Sequence, residues 1–236
     1  MTVGEKTPVF PLIQHLSMLA TPALARMPVT AIQITATSLA TGLAASWCLL
    51  QGGGGWAAAG VLFVVTYVLD NCDGEIARLK DQCSTFGMWF DTLVDWIVHT
   101  AFFIALGIGM AKGFGHDAWL WLGGIAAAGG TFNFALGIIL DARDKAASED
   151  EDKAETTRQP EGLSDWAVYV FRELTREDFC FIVLALALFD LTWLLLPAGA
   201  ICSQVYWIAQ FVRGAREFNV KAPKAFLPLE AGACGT

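Results

Sequence analysis

The chain has 236 residues and a mass of 25.4 kDa, which fits one domain or two small ones. Apolar residues make up 55% of it, charged residues make up only 16%, and the mean hydropathy is +0.51. Soluble domains carry about 25% charged residues, so too few polar side chains are present here to cover a soluble globule. The net charge of −8 also argues against binding to nucleic acid, which needs clustered Lys and Arg. The composition indicates a membrane protein.

The N-terminal stretch is fairly apolar over residues 8–25 and contains Ala23-Leu24-Ala25, which resembles a signal-peptide cleavage site. Polar residues and a proline interrupt the stretch, and Glu5 cancels Lys6 where a signal peptide carries net positive charge. We therefore expect residues 1–29 to form an N-terminal interfacial segment, with a short helix lying along the membrane surface.

Six apolar runs follow that are long enough to cross a bilayer, which takes about 20 residues. They predict an all-α integral membrane protein with six transmembrane helices, four within residues 30–140 and two within 179–212. The last two runs are separated only by a short stretch around Pro197. The predicted spans are 30–50, 56–77, 88–110, 118–140, 179–196 and 198–212.

The basic residues assign an orientation to these spans. All 15 Lys and Arg residues except Lys112 fall on one side when the termini, the 78–87 turn and the 141–178 segment share that side. The positive-inside rule makes that side cytoplasmic. The sequence thus predicts a multi-pass protein of the cell inner or plasma membrane with both termini in the cytoplasm.

Two segments outside the spans are polar. Residues 144–162 are rich in Asp, Glu and Lys and are predicted to form an acidic cytoplasmic loop. Apolar residues at roughly helical spacing follow, so residues 141–178 are expected to combine this loop with an amphipathic segment or a plain linker. Residues 213–236 are expected to form a cytoplasmic tail.

Aspartates occur in the second and third predicted spans, where membrane segments are normally apolar. Placing a charged side chain inside a membrane costs at least about 2.5–3.5 kcal/mol. Asp70 and Asp73 lie on one face of the second span together with Ala77, and Asp91 and Asp95 share a face of the third. The turn between these spans is short, so the two helices are expected to be antiparallel neighbours. The four carboxylates should therefore meet at the cytoplasmic edge of the membrane.

Four converging carboxylates repel one another unless cations lie among them, and hard oxygen ligands suit Mg²⁺ or Mn²⁺, here as a pair. Gly74 leaves space beside the metals for a phosphate, and Ala77 keeps the groove open one turn further on. Arg78 is able to pair with phosphate oxygens, and Gly87 lets the third helix start close to the second. This combination is typical of a site that handles a diphosphate ester.

The spacing resembles the signature of the CDP-alcohol phosphotransferase (CDP-alcohol phosphatidyltransferase) family, D-x2-D-G-x2-A-R-x8-G-x3-D-x3-D. The six predicted spans and cytoplasmic termini are also similar to that family. The chain matches every fixed position of the signature, through Asp70, Asp73, Gly74, Ala77, Arg78, Gly87, Asp91 and Asp95.

The resemblance implies a function in phospholipid biosynthesis. Such enzymes move a phosphatidyl or other phosphoryl-alcohol group from a CDP-linked donor, often CDP-diacylglycerol, to an acceptor hydroxyl and release CMP. It also implies a homodimer that uses two divalent ions and an aspartate base.

The resemblance further assigns roles to residues. Metal binding falls to Asp70, Asp73, Asp91 and Asp95, with Asp95 also the general base. CDP binding falls to Asp70, Gly74, Ala77 and Arg78. Many members carry T-P-N-x-x-T at the start of the first span, whereas residues 30–35 here keep both threonines but lack the proline and asparagine. Thr35 is the matching candidate for the nucleotide site.

The acceptor alcohol is left open by the sequence. Arg213 and Arg176, on the cytoplasmic side, are candidates for binding a phosphorylated acceptor such as inositol phosphate or glycerol phosphate. They are equally consistent with topology signals that face lipid phosphates. His99, one turn past Asp95, is a third candidate, with a hydrogen-bonded packing residue as the alternative.

Two other functions are compatible with intramembrane carboxylates. A divalent-cation or proton-coupled transporter normally places such groups near the bilayer midplane, whereas the motif aspartates gather at one edge. Asp190 in the fifth span is the acidic residue outside that edge. A scaffold that has lost activity is the other possibility, although the signature shows no substituted metal-ligand position.

Overall fold

The computed structural model describes residues 11–148 and 178–213, and in these ranges the chain forms helices and no strand. This confirms the predicted all-α class. Two single 3-10 turns, Gly53–Gly55 and Thr192–Leu194, separate some of the helices. The α-helices are α1 (Ile13–Ala25), α2 (Ala31–Leu50), α3 (Trp56–Leu79), α4 (Thr85–Phe114), α5 (Ala118–Ser148), α6 (Phe179–Leu188) and α7 (Leu195–Arg213).

Four of these helices, α2 to α5, are long and apolar enough to cross a membrane, and they match the first four predicted spans within a few residues. In the described part of the chain α6 has 10 residues, which rise about 15 Å against a bilayer core of about 30 Å. The apolar stretch Thr192–Ile208 is likewise short. The chain is therefore a helical membrane protein with four candidate spans, and the count of six stays a prediction.

The boundary between the last two helices differs from the predicted one. The sequence suggested a fifth span over 179–196 that ends near Pro197, but α6 ends at Leu188 and α7 already begins at Leu195. Asp190 adopts a left-handed conformation with φ of 56°, and the Leu191 N–H returns to the Leu186 carbonyl at 2.8 Å, which closes α6. Pro197 then lies in the first turn of α7, where a missing N–H costs little.

The fourth predicted span ends at Leu140 as expected, but its helix extends into the predicted polar segment. Helix α5 continues through residues 141–148 instead of ending at residue 140. Residues 149–162 of the predicted acidic loop lie outside the described residues, as do the segment predicted after it up to residue 177 and the predicted tail from residue 214 onward.

Helices α2, α3 and α4 pack together around a core of buried aromatic and aliphatic side chains. Phe63 of α3 and Phe102 of α4 are buried with ring centroids 4.6 Å apart, and Phe179 of α6 joins them. A Cβ on Gly109 of α4 would lie 2.2 Å from the Leu49 carbonyl oxygen, so only glycine allows α4 to approach the end of α2 so closely. This packing brings the start of α2, the end of α3 and the start of α4 to the same end of the bundle.

Helix α1 lies against α3 and is held there by polar contacts. The Asp178 carboxylate is fully buried and accepts hydrogen bonds from the backbone N–H groups of Leu12 and Ile13, both at 2.9 Å. It thereby caps the N-terminus of α1 from a position more than 160 residues away in the chain. Ser17 of α1 donates to Glu75 of α3 at 2.8 Å. The helix predicted within residues 1–29 is thus present, while its position in the membrane interface stays a prediction.

Replacing Asp178 with alanine is expected to lower the free energy of unfolding by about 2 kcal/mol, because two N–H groups lose a charged acceptor. The thermal midpoint in detergent checks this, together with protease cleavage near residue 12, which should speed up as α1 detaches. Asp81→Asn removes an exposed carboxylate in the α3–α4 turn and is the control. Equal stability of both variants would contradict a capping role for Asp178.

Candidate active site

The signature residues are divided between the end of α3 and the beginning of α4. The Ser84 hydroxyl accepts a hydrogen bond from the Gly87 N–H at 3.0 Å and so caps α4. A Cβ on Gly87 would lie 3.1 Å from that hydroxyl oxygen, so the signature glycine leaves room for the cap. Because of this cap α4 begins at Thr85, three residues before the predicted span, and the first turns of α4 stand beside the last turns of α3.

Three signature aspartates converge between these two helices. Each of Asp70, Asp73 and Asp91 offers a carboxylate oxygen, and the three oxygens lie within 4.8 Å of one another. Asp73 is buried, and the other two are half-buried. Asp95 is not part of this group of three: it lies one turn further along α4 and its side chain is exposed.

The three carboxylates fit a divalent cation. Oδ1 of Asp91 is buried and has no hydrogen-bond partner within the described ranges. A buried charged oxygen without a partner is costly, and a cation beside it would remove that cost. Carboxylate oxygens at this spacing are ligands that Mg²⁺ and Mn²⁺ favour.

Thr35, predicted as part of the nucleotide site, lies next to the carboxylates. Its side chain is 4% exposed, and its hydroxyl is hydrogen-bonded to Oδ2 of Asp73. The same hydroxyl oxygen is 3.1 Å from the carbonyl oxygen of Ala31, one turn earlier on α2. Helix α2, the first of the predicted spans, therefore contributes a hydrogen-bond partner to Asp73.

The other predicted CDP-binding residues follow Asp73 on α3. Gly74 is half-buried, and the nearest side-chain atoms to a Cβ added there would be the guanidinium nitrogens of Arg78, at 3.5 and 4.0 Å. Arg78 is exposed, so its charge lies beside the open backbone of Gly74. Ala77 packs against the cluster around Ala31 and Ile34 of α2, where its small side chain lets α2 and α3 approach each other.

His99 lies one turn beyond Asp95, and both of its ring nitrogens have partners. Nδ1 is 2.7 Å from the backbone carbonyl of Asp95, and Nε2 is 2.8 Å from the Tyr67 hydroxyl. Because a carbonyl only accepts, Nδ1 carries a proton, and in the neutral ring Nε2 accepts from the Tyr67 hydroxyl. The ring also packs near Phe63 and Phe179, so the contacts of His99 are those of a hydrogen-bonded packing residue.

The predicted acceptor arginines are not placed by the structure. Arg213 is the last residue of α7, and its side chain is outside the described part. Arg176 falls outside the described residues altogether.

Comparison with known proteins identifies the family of this chain. Residues 28–205 match the family model for CDP-alcohol phosphatidyltransferase, which is well over half of the chain. The chain belongs to this family. It is also 32% identical over 65 residues to a protein described as a bifunctional IPC transferase and DIPP synthase from Aquifex aeolicus (strain VF5). That match spans 28% of this chain and 15% of the relative, so the full activity of that protein is not transferred to this one.

Members of this family are transferases that use divalent metals, and this agrees with the three converging carboxylates. The start of α2 is capped although it lacks the proline and asparagine of the T-P-N pattern. Thr30 and Gln33 form a capping box, and Gln82 accepts a hydrogen bond from the Ala31 N–H at 2.9 Å. The α3–α4 turn therefore supports the start of α2.

Sequence analysis missed Tyr67 and Lys80. Tyr67 lies one turn before Asp70, and this i, i+3 spacing would have placed a hydroxyl near the aspartate face. Lys80 donates to the carbonyl oxygens of Met27 and Val29 at 2.9 and 2.8 Å and so ties the α1–α2 connection to the end of α3. In the sequence Lys80 follows Arg78 by two residues and is indistinguishable from a basic residue that only sets membrane orientation.

Proposed function

We propose that this protein is a membrane-bound, metal-dependent transferase of phospholipid biosynthesis. It moves a phosphatidyl or similar phosphoryl-alcohol group from a CDP-linked donor, such as CDP-diacylglycerol, to an acceptor hydroxyl and releases CMP. The observation that supports this most is the convergence of Asp70, Asp73 and Asp91 within 4.8 Å in a member of this family.

In this proposal Asp70, Asp73 and Asp91 hold a divalent cation, Mg²⁺ or Mn²⁺, and Asp95 joins them if a second cation binds. When bound, the cation neutralises charge on the diphosphate of the donor. Arg78 pairs with phosphate oxygens, and the absent side chain of Gly74 lets the diphosphate approach the helix backbone. The small side chain of Ala77, which packs against α2, keeps α2 close to α3 beside the site.

Asp95 is the general base. Its side chain is exposed while the other three aspartates are buried or half-buried, so an incoming hydroxyl has access to it. Asp95 takes the proton of the acceptor hydroxyl as the acceptor oxygen bonds to the phosphorus that carries the alcohol group. The bond from that phosphorus to the oxygen shared with CMP breaks, and CMP leaves with that oxygen.

The proposed topology places this reaction at the cytoplasmic edge of the inner or plasma membrane, with six spans and both termini inside. Helix α4 has 30 residues, about 45 Å in length, so it exceeds the bilayer core and its first turns reach the membrane edge. The donor lipid would then enter from the bilayer and the small acceptor from the cytoplasm. A homodimer is part of the proposal and is tested by the mass of the protein in detergent.

The acceptor is proposed to be a phosphorylated polyol, inositol phosphate or glycerol phosphate, with Arg213 and Arg176 as its binding residues. His99 is left out of this set because its two ring nitrogens have protein partners.

An acceptor panel tests the function. Purified protein with Mg²⁺ or Mn²⁺ and CDP-diacylglycerol is offered inositol phosphate, glycerol phosphate, serine, choline or phosphatidylglycerol, and CMP is measured. CMP release that depends on one acceptor supports the proposal and names that acceptor. Folded, metal-loaded protein that releases no CMP with any of them would contradict it.

A further inference from the structure

We propose that Thr35 is a positioning residue that acts through Asp73, rather than a residue that contacts the nucleotide. This inference rests on the proposed function of the aspartates as cation ligands. It departs from the role that the T-P-N-x-x-T resemblance assigns to Thr35.

The burial of Thr35 argues against a nucleotide contact. Only 4% of the residue is exposed, which leaves little surface for a ligand. On the same helix Ala31 and Ile34 are also buried, so the face that carries Thr35 is packed against α3. Its hydroxyl is hydrogen-bonded to Oδ2 of Asp73, so the polar atom of Thr35 already has a protein partner.

The direction of this hydrogen bond follows from the number of protons. The Thr35 hydroxyl has one proton and two acceptors nearby, the Asp73 carboxylate and the Ala31 carbonyl oxygen. A carboxylate that binds a cation is deprotonated, and a charged acceptor forms the stronger hydrogen bond. Thr35 therefore donates to Asp73 whenever Asp73 is a ligand.

This hydrogen bond orients the ligand. One oxygen of the Asp73 carboxylate is hydrogen-bonded to α2, and this restricts rotation of the carboxylate. The carboxylate is therefore already oriented for cation binding together with Asp70 and Asp91. A second hydrogen bond joins α2 and α3 further along the bundle, between the hydroxyls of Thr41 and Thr66, which are 2.9 Å apart. Hydrogen-bond partners of this kind typically change metal affinity by about ten- to a hundredfold when they are removed.

The test uses Mn²⁺ alone as the probe, measured by the electron paramagnetic resonance signal of the free ion with purified protein and no substrate. Thr35→Val keeps the shape of the side chain without the hydroxyl, and Thr35→Ser keeps the hydroxyl. Thr37→Val makes the same change at an exposed threonine of α2 whose hydroxyl donates to the Gln33 carbonyl, and it is the matched control.

We expect Thr35→Val to weaken Mn²⁺ binding about tenfold. Thr35→Ser and Thr37→Val should stay within about twofold of the unmodified protein, because the donor to Asp73 remains. At saturating Mn²⁺ the KM of T35V for the CDP-linked donor should be unchanged. Thr35→Ala is a second hydroxyl-free variant and replaces T35V if the latter does not fold.

Two results would overturn the inference. One is Mn²⁺ binding by the hydroxyl-free variants that equals that of the unmodified protein. The other is a raised donor KM at saturating Mn²⁺ with unchanged Mn²⁺ affinity, which would return Thr35 to the nucleotide site. If the protein binds Mn²⁺ with the expected dependence on Thr35 but releases no CMP in the acceptor panel, the positioning role stands and the proposed reaction fails.

Discussion

Replacing Asp95 with asparagine is expected to lower kcat for CMP release by at least about a hundredfold, because removal of a general base typically costs 10²–10⁴ in rate. Binding of the CDP-linked donor should be preserved, since Asp95 lies outside the group of three aspartates within 4.8 Å. The measurement compares acceptor-dependent turnover with donor binding by calorimetry under the same concentration of Mg²⁺.

The control for this variant is Asp190→Asn. Asp190 is an exposed carboxylate that follows α6, and asparagine tolerates its left-handed conformation. It should leave both turnover and donor binding unchanged. Turnover retained by D95N would remove Asp95 as the base, and lost donor binding would show that the variant fails before the proton-transfer step.

Replacing Asp91 with asparagine, or removing divalent ions with a chelator, is expected to reduce activity by more than about a hundredfold. Asp91 has a buried oxygen without a hydrogen-bond partner among the described residues, and an amide there would lack the negative charge that balances a cation. A lost metal interaction is worth several kcal/mol in the transition state, and each 1.36 kcal/mol corresponds to about tenfold in rate.

The Asp91 variant should recover part of its activity at high Mn²⁺ but none from excess donor, since the defect lies in cation binding. The chelated protein should regain full activity when Mg²⁺ or Mn²⁺ is restored. Activity that survives both treatments would exclude a metal-dependent reaction. Cation flux into vesicles that Asp91→Ala abolishes would instead favour the transporter that the sequence left open.

Much of the fold follows from the order of apolar residues. Helices α2 to α5 agree with the predicted spans because long apolar runs have few ways to satisfy their backbone in a membrane. The prediction was wrong near Pro197, because proline ends a helix or starts one depending on the turn in which it lies. In this chain α6 has already ended before Asp190, which is left-handed, so Pro197 falls in the first turn of the next helix. The apolar sequence around Asp190 does not predict this conformation.

The candidate site divides in the same way. The spacing of Asp70, Asp73 and Asp91 predicts their convergence, since helical periodicity and a short turn leave two antiparallel faces in contact. Asp95 lies on the same face one turn beyond Asp91 and is exposed, and its role as a cation ligand stays a prediction. Its exposure depends on how α4 packs against its neighbours.

The sequence by itself determined that this is a helical membrane protein, and it placed the acidic residues on two consecutive helices next to a short turn. Those features depend on composition and on contacts between neighbours in the chain. Only the tertiary structure decided that Thr35 is hydrogen-bonded to Asp73 and that Asp178 caps α1. It also decided that the two ring nitrogens of His99 are hydrogen-bonded to Tyr67 and to the Asp95 carbonyl. These contacts join side chains to groups on other turns or other helices, and their direction depends on helix rotation, which hydrophobic periodicity alone does not specify.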